Sequence, residues 1–108
     1  MIDWQDNDEH GQRRRFARRP VKLQARLRFD DTSLLAETEN ISPGGAFLNV
    51  ALPESAHEVV ASIGLPHGRH LHVRAKVRWR RQSPPGVGIE FQAFLQGPQE
   101  QDLENMMF

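Results

Sequence analysis

The sequence predicts a mainly β protein: about six short antiparallel strands and one C-terminal α-helix, arranged as a small barrel or sandwich. Three observations predict it. Two stretches, Val21–Phe29 and His70–Arg81, alternate apolar and polar residues, the period-two mark of half-buried strands. Turn signals recur at short intervals, as "DDTS", "SPGG", "PHGR" and "SPPG", each built of residues that start or close β-turns. The chain ends on "GPQEQDLENMMF", which carries the start signals of a helix. Closure into a barrel is favoured because it removes exposed strand edges.

In the first strand Val21, Leu23, Ala25, Leu27 and Phe29 alternate with Lys22, Gln24, Arg26 and Arg28. Beyond "DDTS", the more polar "LLAETENI" is the second strand, and "AFLNV" follows the two-glycine turn as the third. After "ALPESA" comes the fourth, "HEVVASIGL". In the fifth, Leu71, Val73, Ala75, Val77 and Trp79 share one face, with Arg78, Arg80 and Arg81 on the other. "VGIEF" makes a short last strand. In the helix Gly97 suits the N-cap, Pro98 the first helical position and Glu100 the first turn, with Leu103, Met106 and Met107 as the apolar stripe. Phe47, Ile63, Val77, Ile89 and Phe91 are expected in the core. Trp79 joins them by its place in the alternation, its indole within reach of a ligand at the barrel rim.

A chain of 108 residues suits one modest core. Without cysteine, disulfides and thiolate metal sites are excluded. The apolar runs are too short to span a bilayer, so no membrane insertion is expected. Residues 1–12, "MIDWQDNDEHGQ", are acidic and polar, the opposite of a secretory signal. They have little to bury beyond Ile2 and Trp4 and are expected to form a flexible tail, which leaves residues 13–108 as the domain. The expected location is the cytoplasm.

Fourteen basic residues balance fourteen acidic ones, yet five arginines fall within Arg13–Arg19, in "RRRFARRP". Lys22 and Lys76 are the lysines, so the positive charge is nearly all guanidinium. A guanidinium offers a planar fork for phosphate or a base edge and stacks on rings. A broad duplex-binding surface would carry more lysine and a positive balance; this chain points to one concentrated anion site. A basic tail attracted to any polyanion would explain the arginines equally well if they stood alone. The stretch "NISPGG" adds a second element. On one face of an extended segment Asn40 and Ser42 would point into the same space. Gly45 would permit close approach, and Gly44 could take a positive φ to turn the chain. A plain hairpin turn accounts for the same residues.

Together the two stretches resemble the two signatures of the PilZ domain family. The first is a pair of arginines separated by three residues just ahead of the first barrel strand, here Arg14 and Arg18 in Arg14-Arg15-Phe16-Ala17-Arg18. Arg15 and Arg19 have the same spacing, but Arg14 and Arg18 better match the family's placement before Pro20-Val21. The second is Asp or Asn, any residue, Ser, any two residues, Gly, here Asn40-Ile41-Ser42-Pro43-Gly44-Gly45. The likeness runs from about Arg13 to the end, and "PPGVGIEF" looks like the family's closing strand. It implies a six-stranded antiparallel barrel with a C-terminal helix, and a bacterial receptor for cyclic di-GMP that performs no catalysis. The implied ligand residues are Arg13, Arg14, Arg15, Arg18, Asn40, Ser42, Gly44 and Gly45. An arginine at position 13 implies a stacked pair of ligand molecules, and Asn40 in place of Asp implies lower affinity. Ligand phosphates would offset the repulsion within "GQRRRFARR" and order it against "NISPGG", altering the surface shown to an effector protein, with motility among the processes implied.

Two other readings belong to different classes. One is a PilZ-like adaptor that binds protein and no nucleotide, against which the filled motifs argue. The other is a small RNA- or DNA-binding barrel, which would need exposed aromatic residues for base stacking; here the aromatics fall mostly on expected core positions, so no nucleic-acid partner is expected. His67, His70 and His72 gather near one turn, but a zinc site needs further ligands and no cysteine is available, so they are expected to face solvent. Ser42 has no His and acid at a recognisable spacing to act as a nucleophile.

Overall fold

The computed structural model describes residues 19–95. Among these residues there are seven strands: β1 (Arg19–Pro20), β2 (Gln24–Phe29), β3 (Thr32–Ser42), β4 (Gly45–Asn49), β5 (Glu58–Gly64), β6 (His70–Gln82) and β7 (Pro85–Phe94). All pairings are antiparallel, in the order β1-β3-β2-β5-β6-β7-β4, and β4 also pairs with β3. That last pairing closes β2 to β7 into a six-stranded barrel, with β1 as a short strip on the flank of β3. The expected C-terminal helix from Gly97 lies outside the described residues, as do the 1–12 tail and Arg13, Arg14, Arg15 and Arg18.

Period-two alternation fills the interior. Ala25 and Leu27 of β2, Ala61 and Ile63 of β5, Leu71, Val73 and Ala75 of β6, and Val87 and Ile89 of β7 are all buried in one cluster. Val77 and Phe91 pack against it half-buried. Two-residue turns join β2 to β3, where Asp30 has φ 51°, and β6 to β7, where the Ser83–Pro84 bond is cis. Asp tolerates the left-handed region that such hairpins require. "PHGR" becomes a 3₁₀ turn over Pro66–Gly68, with φ 78° at Gly68.

Where the alternating run Val21–Phe29 was expected as one strand, the ladder breaks between Pro20 and Gln24. The fully buried Thr38 fills the gap. Its Oγ1 donates to the Val21 carbonyl at 2.5 Å and accepts from the Leu23 amide at 2.8 Å, while its own amide donates to the Leu23 carbonyl at 2.9 Å. One hydroxyl thus satisfies two part-buried backbone groups that the broken ladder leaves without strand partners. The same place carries a bulge, with the β3–β4 register shifting between Thr38 and Asn40.

A second bulge corrects the reading of β6. Val77 pairs with Ile89, but Trp79, two residues on, pairs with the next β7 residue, Gly88. The residue inserted at Arg78 reverses the alternation from there onward. Trp79 therefore leaves the interior face and Arg81 shares its new side, while Arg80 turns towards the barrel end. There it donates to the carbonyls of Leu52 at 3.0 Å and Ala56 at 2.7 Å, tying down the β4–β5 loop. Phe47 is buried as expected, but it lies opposite Gly88, on the outer side of β4; Ala46 and Leu48 are its inward neighbours.

Candidate functional site

The outer face over β3, β4, β7 and the second half of β6 brings the motif residues together. Asn40 and Ser42 flank Ile41, which points into the core with no exposure, so both face outward. Ser42 pairs with Gly45 across a two-residue Pro43-Gly44 hairpin. The positive φ values among the described residues fall at Asp30 and Gly68, so Gly44 does not turn the chain that way. Pro43 fixes the first central position in the form a type I turn needs, with φ negative at both central residues. The Ser42 hydroxyl accepts from the Gly44 amide at 3.2 Å and makes a long 3.5 Å contact to the Gly45 carbonyl. Ser42 is buried and holds its own turn. Gly45 is buried opposite Glu90 of β7, and the Gly44 carbonyl accepts from the Phe91 amide at 2.9 Å.

Asn40 differs from Ser42. Its Oδ1 is buried and has no hydrogen-bond partner among the described residues. A buried acceptor left open costs about 1–3 kcal/mol, and an incoming donor would recover it. The register of β1 shows where such a donor can come from: Pro20 lies opposite Asn40, and Arg19 opposite Ile41. The pairing delivers the end of the arginine-rich stretch to the Asn40 edge of β3.

Beside Asn40 lies an aromatic platform of which the sequence suggested only the reach of the Trp79 indole. Phe47, the β4 partner of Asn40, meets Trp79 edge to face at 5.2 Å between ring centroids. The Arg81 guanidinium stacks 4.7 Å over the Phe47 ring. Its Nη2 donates to Glu39 Oε2 at 2.6 Å and its Nη1 to Oε1 at 3.4 Å, while Nε donates to the Pro84 carbonyl at 2.8 Å. Glycine at position 86 gives the ring its seat, since a Cβ there would stand 2.5 Å from Phe47 Cε1. Trp79 is half-buried, whereas the Phe47 ring beneath Arg81 is fully buried. The cue for the platform, a single inserted residue at Arg78, has no signature in side-chain type. Arg78 itself forms an exposed ion pair with Glu90 at 3.2 Å.

Among the described residues no group of three metal-ligating side chains converges. His70 and His72 stack at 6.3 Å, and His72 Nδ1 shares a 3.0 Å hydrogen bond with Ser62 Oγ. No helix among the described residues is long and apolar enough to cross a membrane.

A small antiparallel barrel whose first strand is preceded by an arginine cluster and whose β3–β4 hairpin carries Asn-x-Ser-x-x-Gly defines a class of domain. The PilZ domain model matches residues 12–108, and the chain belongs to the PilZ domain family. Among solved structures it is similar to the Bacillus subtilis inhibitor of motility MotI/DgrA, with TM-score 0.75 and 23% identity over 88% of this chain and 49% of that one. It is also similar to YcgR of Escherichia coli in complex with c-di-GMP, with TM-score 0.72 and 18% identity over 89% of this chain and 45% of that one. The PilZ domain of CeSA from a cellulose-synthesizing bacterium gives TM-score 0.61 and 21% identity, covering 85% of this chain and 95% of that one. The chain thus spans about half the length of MotI/DgrA and of YcgR. No curated protein matches it.

Proposed function

We propose that this chain is a bacterial cytoplasmic receptor for cyclic di-GMP, in which residues 13–108 form the receiving domain and residues 1–12 a tail. The observation that carries this reading is the register of β1, which sets Pro20 opposite Asn40 and Arg19 opposite Ile41, so that the last arginine of the cluster adjoins the open Asn40 acceptor. Guanine supplies N–H donors for Asn40 Oδ1, and its O6 and N7 accept an arginine fork. The phosphates offset the repulsion among the arginines. Arg14 and Arg18 are the motif pair. Arg13 adds the fork that accommodates a second, stacked ligand, Arg15 adds charge beside the pair, and Ser42, Gly44 and Gly45 keep the hairpin low beneath the ligand. Trp79 offers its exposed part for base stacking. The protein works by ordering residues 11–18 against the barrel, ahead of the Arg19–Pro20 strand, which changes the surface presented to an effector protein; the likeness to MotI/DgrA, an inhibitor of motility, makes motility the first process to examine.

Isothermal titration of the whole chain with cyclic di-GMP tests this. The expected result is saturation at two ligands per chain, with Arg14→Ala or Arg18→Ala each weakening binding by about 1–3 kcal/mol, roughly 5- to 150-fold. Amide exchange at residues 11–18 should slow on binding. One ligand per chain would remove the stacked pair and leave the receptor reading standing; no binding by a folded chain would remove the reading.

A further inference from the structure

The barrel carries a second cationic surface, remote from the Asn40 hairpin. Along β5 the outward residues Val60, Ser62 and Gly64 are short. On either side the pleat raises long cationic side chains, Arg26 and Arg28 from β2 and Arg74 from β6. The register aligns them in cross-strand rows, one running Leu35–Arg26–Ser62–His72 and the other Ser33–Arg28–Val60–Arg74. The result is a trough with a small, partly apolar floor and guanidinium walls. Two strand spacings separate Arg28 from Arg74, about 10 Å between backbones, which is the width of one extended chain with its side chains.

The charges along this trough are uncommitted. Arg28 and Arg74 are exposed, with no hydrogen bond or ion pair among the described residues, and Arg26 has only a 3.2 Å bond to Ser33 Oγ. The acidic residues gather at one end: Glu58 opposite Lys76, and Asp30 and Asp31 in the β2–β3 turn. There the trough widens into a groove of about 470 Å³ lined by Arg28 and Arg74 together with Asp30, Asp31 and Glu58, so the unopposed positive charge lies on the side of the trough towards Arg26. At its side stands Leu35, 70% exposed, an apolar anchor beside Arg26.

We infer that the β2–β5–β6 face docks an extended acidic segment of a partner protein, laid along β5. Its carboxylates would meet Arg26, Arg28 and Arg74, and an aliphatic side chain would rest on Val60 or Leu35. Charge complementarity selects the acidic segment, and the exposed leucine beside a valine floor selects polypeptide. His72 is the one ring on these two rows, and its Nδ1 is tied to Ser62 Oγ at 3.0 Å; no Phe, Trp or Tyr stands there to stack bases, which favours polypeptide over nucleic acid. The inference stands apart from the nucleotide reading, since it uses none of the residues in that site.

The test is fluorescence anisotropy of a labelled peptide of alternating glutamate and valine, titrated with the whole chain at low salt and without cyclic di-GMP. The peptide should bind, and the matching glutamine–valine peptide should bind about tenfold more weakly or worse. Amide NMR shifts on binding should cluster in 24–28, 60–64 and 72–76. Arg28→Glu with Arg74→Glu should weaken binding at least about tenfold; if that variant melts early, Arg28→Gln with Arg74→Gln replaces it. Equal binding of the glutamine peptide, shifts centred on the β3–β4 hairpin, or unchanged affinity in both variants would overturn the inference. So would tighter binding of a single-stranded oligothymidine or of phosphatidylglycerol vesicles than of the acidic peptide.

Discussion

Two arginine-bearing faces of one barrel show what neighbours make of a guanidinium. On the β3–β4–β7 side, Arg81 is held by the Glu39 carboxylate, the Pro84 carbonyl and the Phe47 ring. It completes a fixed platform. On the β2–β5–β6 side, Arg28 and Arg74 stand over short residues with no such ties among the described residues. Arginines of the first kind hold structure, and those of the second kind are available to a partner. The two faces therefore predict different penalties for the same substitution.

The comparison breaks most visibly if the platform is emptied. Phe47 is fully buried although it lies outside the barrel interior, so Phe47→Ala removes a ring that touches Trp79 and supports Arg81. The expected loss is about 3–5 kcal/mol, as for aromatic truncation in a core, read from urea denaturation with an unchanged slope. A loss below ~1 kcal/mol would mean that the outer face contributes little to the fold.

That platform also marks the limit of what the sequence makes legible. The barrel was readable because inward residues such as Leu27, Ile63, Val73 and Ile89 repeat with period two, which is the geometry of a strand. The turns were readable because Asp, Gly and Pro favour their backbone angles. A bulge shifts the period without changing residue type, so Trp79 looked like the continuation of Val77. Phe47, in a short apolar run, carries nothing to say which side it takes. At the hairpin, "NISPGG" does place Asn40 and Ser42 on one side, but it cannot reveal that the Ser42 hydroxyl is occupied by its own turn while Asn40 Oδ1 is open. Those are consequences of register, which depends on strands distant in the chain.

Thr38→Val is a smaller change that probes how the site is anchored. It keeps shape but removes the hydroxyl that serves Val21 and Leu23, leaving a part-buried carbonyl and amide without that partner. About 1–3 kcal/mol should be lost. Amide exchange should quicken first around Val21 and Leu23, at the entry to the arginine segment, before β5 and β6 loosen. Uniform loosening across the barrel would show that Thr38 supports the whole fold and not this junction.

The finest test sets one arginine against the other. Arg81→Gln gives up a two-point carboxylate bond and a ring contact at a partly exposed position, where solvent screening keeps the expected loss to about 1 kcal/mol. Arg28→Gln gives up neither and should stay within about 0.5 kcal/mol of the parent chain. High salt should shrink the Arg81 penalty by weakening the Glu39 attraction, yet leave a remainder, because stacking on Phe47 does not depend on that carboxylate. For the acidic peptide the order should reverse, with Arg28→Gln weakening binding and Arg81→Gln leaving it intact. Equal stability penalties for the two would erase the distinction between a committed and an available guanidinium; opposite rankings in stability and in peptide affinity would establish it, because a single general effect of lost positive charge cannot produce both.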